Sequence, residues 1–153
     1  MRGLRNSAKA IIIQDGKLLC TKNRDAWGDF YLLPGGGQEP FETLHEALRR
    51  ECREEIGAEI EIGDLRYIRE YIGKNHEFAE WDGDLHQIEF MYECALRPGA
   101  MPQNGAVPDS YQTGIAWLAL NEFGKVRLYP QALKKLLMED GVLLGPVYLG
   151  DAG

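Results

Sequence analysis

Apolar and polar residues change their spacing several times along this chain, and each change marks an element. "SAKAIII" and "KLLCTK" flank Gln14-Asp15-Gly16. Asp-Gly suits a tight primed turn, because glycine accepts the positive φ that such a turn requires, so the pair reads as a β-hairpin. The polar stretch "NRDAWGD" leads into "FYLLPGGG", a short strand that ends at Pro34 and opens into a glycine loop. Helical spacing follows: Leu44, Ala47, Leu48, Cys52 and Ile56 recur on one side of a helix. Thr43 and Glu46 form a capping box at its start, and Gly57 can end it in a left-handed conformation.

Beyond the helix, "AEIEIGDLRYIREYIG" is strand material, either two strands or one long bent one. "HQIEFMYECAL" and "GIAWLAL" are further strands, "KNHEFAEWDGD" reads as a polar, mobile loop, and residues 97–110 as another loop. "NEFG" predicts a helical turn capped by Asn121, and "PQALKKLLMEDG" a second amphipathic helix with Pro130 near its first turn. No point divides the chain into two cores, so residues 1–153 are read as a single domain.

The end of the first helix, "RRECREEIG", carries three glutamates. Each helical residue advances by about 100°. With Ala47 at zero, Leu44 lies at about 60°, Leu48 at about 100°, Cys52 at about 140° and Ile56 at about 180°. On that wheel Glu51 falls at about 40° and Glu55 at about 80°, inside the apolar arc, and Glu54 lies at its edge, about −20°. Solvated charges belong on the opposite face, where Glu46, Arg49 and Arg53 lie. Inward carboxylates repel one another and resist burial. Raised pKa values, an arginine partner or a bound cation would relieve them. Arg50, at about −60°, is the arginine close on the wheel, and is expected to pair with one carboxylate and not three. A divalent cation is the economical remedy. Magnesium or manganese suits an all-oxygen site better than zinc, because none of the three histidines lies in a metal-binding pattern. The glycines of "LLPGGGQE", just before the helix, would let backbone approach a metal or phosphate.

Composition narrows the function. With 44% hydrophobic and 27% charged residues in 153, the chain can build one real core. A net charge of −7 argues against a nucleic-acid polymer held by phosphate contacts, and a small anionic substrate would need a local cation. No apolar run reaches the length of a membrane span, and the four apolar residues after the basic N-terminus are too few for a signal peptide. Cys20, Cys52 and Cys94 are odd in number, far apart and without ligand spacing. They are expected to be reduced, buried thiols of a cytoplasmic protein.

The stretch 36–58 resembles the signature of the Nudix hydrolases, G-x5-E-x7-R-E-U-x-E-E-x-G-U, where U is a bulky aliphatic residue. Gly36, Glu42, Arg50, Glu51, Glu54, Glu55 and Gly57 take the fixed places; Cys52 and Ala58, smaller than usual, take the aliphatic ones. The resemblance implies an α/β fold, an α/β/α sandwich around a mixed sheet. It implies hydrolysis of a diphosphate linked to another moiety, commonly a nucleoside, with Mg2+ or Mn2+ as cofactor. Glu51, Glu54 and Glu55 would hold the metal, joined by the Gly35 carbonyl and supported by Glu42, and Arg50 would orient a glutamate. Many members also carry a carboxylate near the tryptophan-containing strand. Here Gln112 and Thr113 occupy that region and Asp109 is the nearest acid, so the base is Asp109, Glu51 or Glu55. Family members are often dimers. For the organic part of a substrate, Trp27, Phe30, Tyr31 and Trp81 could stack a base. Glu89 and His86 could face a cleft, although a surface strand position is the expected place for both, and His45 is expected to be exposed. A non-catalytic Nudix-like module that senses a nucleotide is the alternative; a full set of box glutamates favours the enzyme.

Overall fold

The computed structural model describes residues 3–153. In chain order the elements are β1 (Leu4–Gln14), β2 (Lys17–Asp25), β3 (Gly28–Leu32), β4 (Gly35–Gly37), α1 (Leu44–Ile56), β5 (Ile60–Ile72), α2 (Ala79–Asp82), β6 (His86–Leu96), β7 (Gln112–Ala119), β8 (Leu128–Tyr129), α3 (Leu133–Leu136) and β9 (Tyr148–Asp151). The strands run β8-β3-β2-β1-β6-β5-β9, with β4 added to β1 and β7 to β2. β1 pairs with β6 in parallel and with β2 and β4 antiparallel, so the sheet is mixed.

Alternation along the central strands builds two cores. On one face Ala8, Ala10, Ile12 and Leu19 meet Leu48, Cys52 and Ile56 of α1. On the other, Ile11, Leu18 and Cys20 meet Tyr67, Met91 and the C-terminal residues Leu120, Phe123, Leu133 and Leu137. The layers are therefore helix, mixed sheet and a thin covering of helical turns, the expected α/β order. The first hairpin turns at Asp15 and Gly16, both at positive φ, as the Asp-Gly signal requires. β5 is one long strand, with register shifts between Ile62 and Tyr67. The cysteines are unpaired; Cys20 and Cys52 are buried, and burial pushes the Cys94 thiol up to about 12.

Helix α1 forms where the capping box predicts it: Thr43 accepts from the Glu46 N–H, Glu46 accepts from the Thr43 N–H, and Gly57 closes the helix at φ 60°. Its C-terminal carbonyls are claimed by the loop 97–110. Gln103 N–H donates to Ile56 O, Gly105 N–H to Glu55 O and Val107 N–H to Glu54 O.

Four local expectations are corrected. The second amphipathic helix shrinks to the single turn Leu133–Leu136, because Leu137 turns extended and pairs with Leu143 across the Asp140-Gly141 turn. Asn121 caps nothing: the 3-10 helix Leu120–Lys125 starts from Ala119 without a side-chain cap. The glycine run is strand as well as loop, since Gly35–Gly37 pairs with Ser7–Lys9. The segment "KNHEFAEWDGD" contains a 3-10 turn, Gly73–Asn75, and α2, fixed by aromatic packing among Phe78, Trp81 and Trp27.

Candidate active site

Two glycines bring the β4 backbone against the acidic end of α1. Gly35 holds φ +133°, and a Cβ there would stand 2.1 Å from the Ala8 carbonyl oxygen, so a side chain is excluded. Its N–H donates to Glu55 Oε1 at 2.9 Å. Gly36 faces Glu51, and a Cβ there would stand 2.7 Å from the Glu51 carboxylate carbon.

Arg50 organises the acids. Its Nε and Nη2 donate to the two oxygens of Glu42, at 2.7 and 2.9 Å, and Nη2 also donates to the Gly37 carbonyl at 3.0 Å. Nη1 donates to Glu51 Oε1 at 3.1 Å and reaches Glu54 Oε2 at 3.4 Å. The expectation that Arg50 serves a single carboxylate is thus corrected, because the guanidinium fork carries five N–H groups and spreads them over three acids. The Arg50 hydrogen bonds hold the Glu42 carboxyl down to about 2.

Glu55 lies beyond Arg50's reach. It is 5% exposed, and burial pushes its carboxyl up to about 7 against the opposing pull of Lys9 and the Gly35 N–H. Burial also raises Glu51, with Arg50 pulling it back. Lys9 projects from β1; its Nζ donates to the Gly35 carbonyl at 3.1 Å and to Leu33 O at 3.4 Å. Sequence reasoning passed over Lys9. The signal was a lone cation between two small apolar residues, Ala8 and Ala10, both fully buried.

The charges do not balance. Among the described residues, Glu42, Glu51, Glu54 and Glu55 are faced by Arg50 and Lys9, so two negative charges are unmatched when all four acids ionise. The donors are all oxygens, a set that fits a hard divalent cation such as Mg2+ or Mn2+. As placed, the carboxylates lean on Arg50 and the Gly35 N–H, and among the described residues no three acidic, histidine or cysteine groups converge in one ready-made shell.

Lys9 also lines a cleft of about 690 Å³. Its aromatic wall is Trp27, Phe30, Phe78, Trp81 and Tyr129, and Arg69, Gln87 and Glu89 form its polar side. Trp27 meets Trp81 edge-on at 5.5 Å between ring centroids, and Phe78 meets Tyr129 at 5.6 Å. Trp27, Phe30 and Trp81 are therefore brought together. Tyr31 is not among them: alternation along β3 sends it against the core cluster, while Phe30 faces the cleft. Glu89 is corrected from a surface position to a buried one, because Arg69 across the β5–β6 pair takes both its oxygens, at 3.3 and 3.2 Å. Burial raises its carboxyl, but Arg69 and Lys9 more than reverse this and hold it low. His86 stays on the strand's partly exposed edge, paired with Glu70, and His45 is exposed, packed edge-on against Tyr92. Asp109 is exposed and lies outside the cleft wall, near enough for its charge to raise Glu55 further. Gln112, by contrast, is buried and donates to the Glu55 backbone carbonyl at 2.7 Å.

A family model for the NUDIX domain matches residues 3–139. The chain belongs to the Nudix hydrolase family. It is 31% identical to a protein named nucleoside triphosphatase NudI from Salmonella agona, over 83% of this chain and 94% of that one. Its fold is similar to that of a Nudix hydrolase from Nitrosomonas europaea, with TM-score 0.67 and 19% identity over 87% of this chain and 85% of that one. An ADP-ribose pyrophosphatase from Streptococcus suis superposes with TM-score 0.57 and 19% identity, covering 90% of this chain and 86% of that one. The Nudix segment of this chain is β4, the following loop and α1, the part of the fold where the acids and Arg50 meet. Among the described residues, no helix is long and apolar enough to cross a membrane.

Proposed function

We propose that this Nudix hydrolase cleaves the diphosphate of a small nucleotide-type substrate with the help of Mg2+ or Mn2+. The observation that carries the reading is the gathering of four carboxylates, Glu42, Glu51, Glu54 and Glu55, against two cations, Arg50 and Lys9, with Lys9 also lining the aromatic cleft. Glu51, Glu54, Glu55 and the Gly35 carbonyl would hold the cation. When bound, such an ion neutralises phosphate oxygens and acidifies water for attack at phosphorus.

The chain's own residues supply the rest. Arg50 fixes Glu42 and the edges of Glu51 and Glu54, so the acids are oriented before substrate arrives. Glu55, seated on the Gly35 N–H, or Glu51 takes the proton from the attacking water; Asp109, exposed and outside the cleft wall, is the weaker candidate. Trp27, Phe30 and Trp81 offer aromatic surface to a base, and Gln87 offers polar groups at its edge. We take nucleoside triphosphates as the first class to test, because the Salmonella relative is named for that activity. Nucleoside diphosphates joined to a sugar or other group come next.

The test is phosphate and pyrophosphate release from a panel of nucleoside triphosphates and nucleotide sugars, with magnesium or manganese. Turnover should require the metal, and Glu54→Gln and Glu55→Gln should lower it at least about 100-fold with the fold intact. Metal-independent turnover, or full activity in both variants, would overturn the reading.

A further inference from the structure

Lys9 is the cation that neither the family signature nor the charge pattern accounts for. It rises from β1 between the buried Ala8 and Ala10, whose side chains turn to the opposite face of the strand. That ammonium donates to the Gly35 carbonyl at 3.1 Å, the same oxygen that would ligate a divalent ion. The groups facing it from the surrounding elements are the Leu33 carbonyl, Glu51 and Glu55 of α1, and Glu89 of β6.

We propose that Lys9 is a resident cation that competes with the divalent metal for the Gly35 carbonyl and thereby sets how tightly the metal is held. The proposal rests on the metal reading given above. A monovalent and a divalent cation at one carbonyl repel strongly where water is partly excluded. As the ion takes the oxygen, the ammonium moves aside into the cleft that Lys9 already lines. Acceptors lie on that side. Glu89 lines the cleft beside Lys9, and Ser7, its register partner on β1 and two residues from Lys9 on the same strand face, has a buried hydroxyl without a hydrogen-bond partner among the described residues. Metal binding therefore delivers positive charge to the part of the cleft nearest the acids, where the phosphates of a substrate would enter.

The test is a Mn2+ titration of the full chain, followed by the electron paramagnetic resonance signal of free Mn2+. Lys9→Met and Lys9→Gln should bind Mn2+ about tenfold more tightly than wild type, and Lys9→Arg should match wild type within about threefold. Damage to the site would weaken binding, so tightening is a result that a merely structural role for Lys9 does not give. Without added metal, Lys9→Met should unfold at a lower temperature than wild type, and saturating Mn2+ should close the gap. Lys9→Gln carries the comparison if Lys9→Met fails to fold. Equal or weaker Mn2+ binding in the folded uncharged variants overturns the proposal and leaves the metal site standing. Failure of wild type and all variants to bind Mn2+ overturns both.

Discussion

Replacing Gly36 with alanine should separate activity from folding. The added Cβ would lie 2.7 Å from the Glu51 carboxylate carbon and 2.8 Å from each of its oxygens. Carbon contacts are comfortable at about 3.5–4.0 Å, so the carboxylate must retreat by about 1 Å. It is the far end of a flexible side chain, and the move costs the fold little. Alanine also narrows the unfolded ensemble, which offsets about 0.4–1 kcal/mol. The net change in stability should stay within about 1 kcal/mol, or about 2–4 °C in Tm for a protein of this size. A reacting group displaced by about 1 Å can lower turnover about 100-fold, and that is the loss expected in kcat with magnesium. Gly35→Ala is the contrast: its Cβ would meet the Ala8 backbone at 2.1 Å, at φ +133°, and this variant should fail to fold stably. Differential scanning fluorimetry and turnover of the best substrate read the two effects separately. A Gly36→Ala enzyme with more than about half of wild-type kcat would refute the placement of Glu51 in the working site, and one that unfolds like Gly35→Ala would refute the account of the contact.

Three other outcomes follow from the cleft and its surroundings. Glu89→Gln should destabilise the fold by about 3 kcal/mol in urea unfolding, because Arg69 is left charged and buried, and the double change Arg69→Met with Glu89→Met should recover most of it; a single variant as stable as wild type would show the pair to be idle. Trp81→Ala should raise KM about tenfold with kcat little changed, the loss of one stacking surface, and an unchanged KM would remove Trp81 from the substrate site. Burial raises the Asp151 carboxyl, but hydrogen bonds from Asn75, His76 and the Ile72 N–H outweigh this and hold it at about 2, below its ordinary 3.8. A folded-state pKa below the unfolded one stabilises fully above about pH 4 and loses that contribution as pH falls toward 2. Asp151→Asn should therefore lower Tm at neutral pH with a gap that narrows on acidification, and a gap independent of pH would contradict the assignment.

Local signals in the sequence were strong enough to place α1 to the residue. The capping box and Gly57 mark its ends, and the wheel turns Glu51 and Glu55 inward, where Glu55 is buried and Glu51 half-buried. The Asp-Gly turn and the places of the long strands along the chain were equally legible, since each depends on a few neighbouring residues. Features made by distant pairing were not. Lys9 meets Gly35 across 26 residues, and Arg69 meets Glu89 across the β5–β6 register. Neither side chain reveals its partner in a local window. The same limit hid the loop that caps α1, whose Gly105 packs against the Glu54 backbone. The C-terminal helix failed for a local reason. Leu133 and Leu137 are both buried at helical spacing, but the Asp140-Gly141 turn draws Leu137 into a pairing with Leu143.

The divalent ion proposed above would sit among the acids of α1 and its preceding loop. Anomalous diffraction from crystals soaked in manganese tests it most directly. A peak is expected within about 2.5 Å of oxygens from Glu51, Glu54 or Glu55 and the Gly35 carbonyl. Well-ordered carboxylates with no anomalous peak beside them at saturating manganese would contradict it.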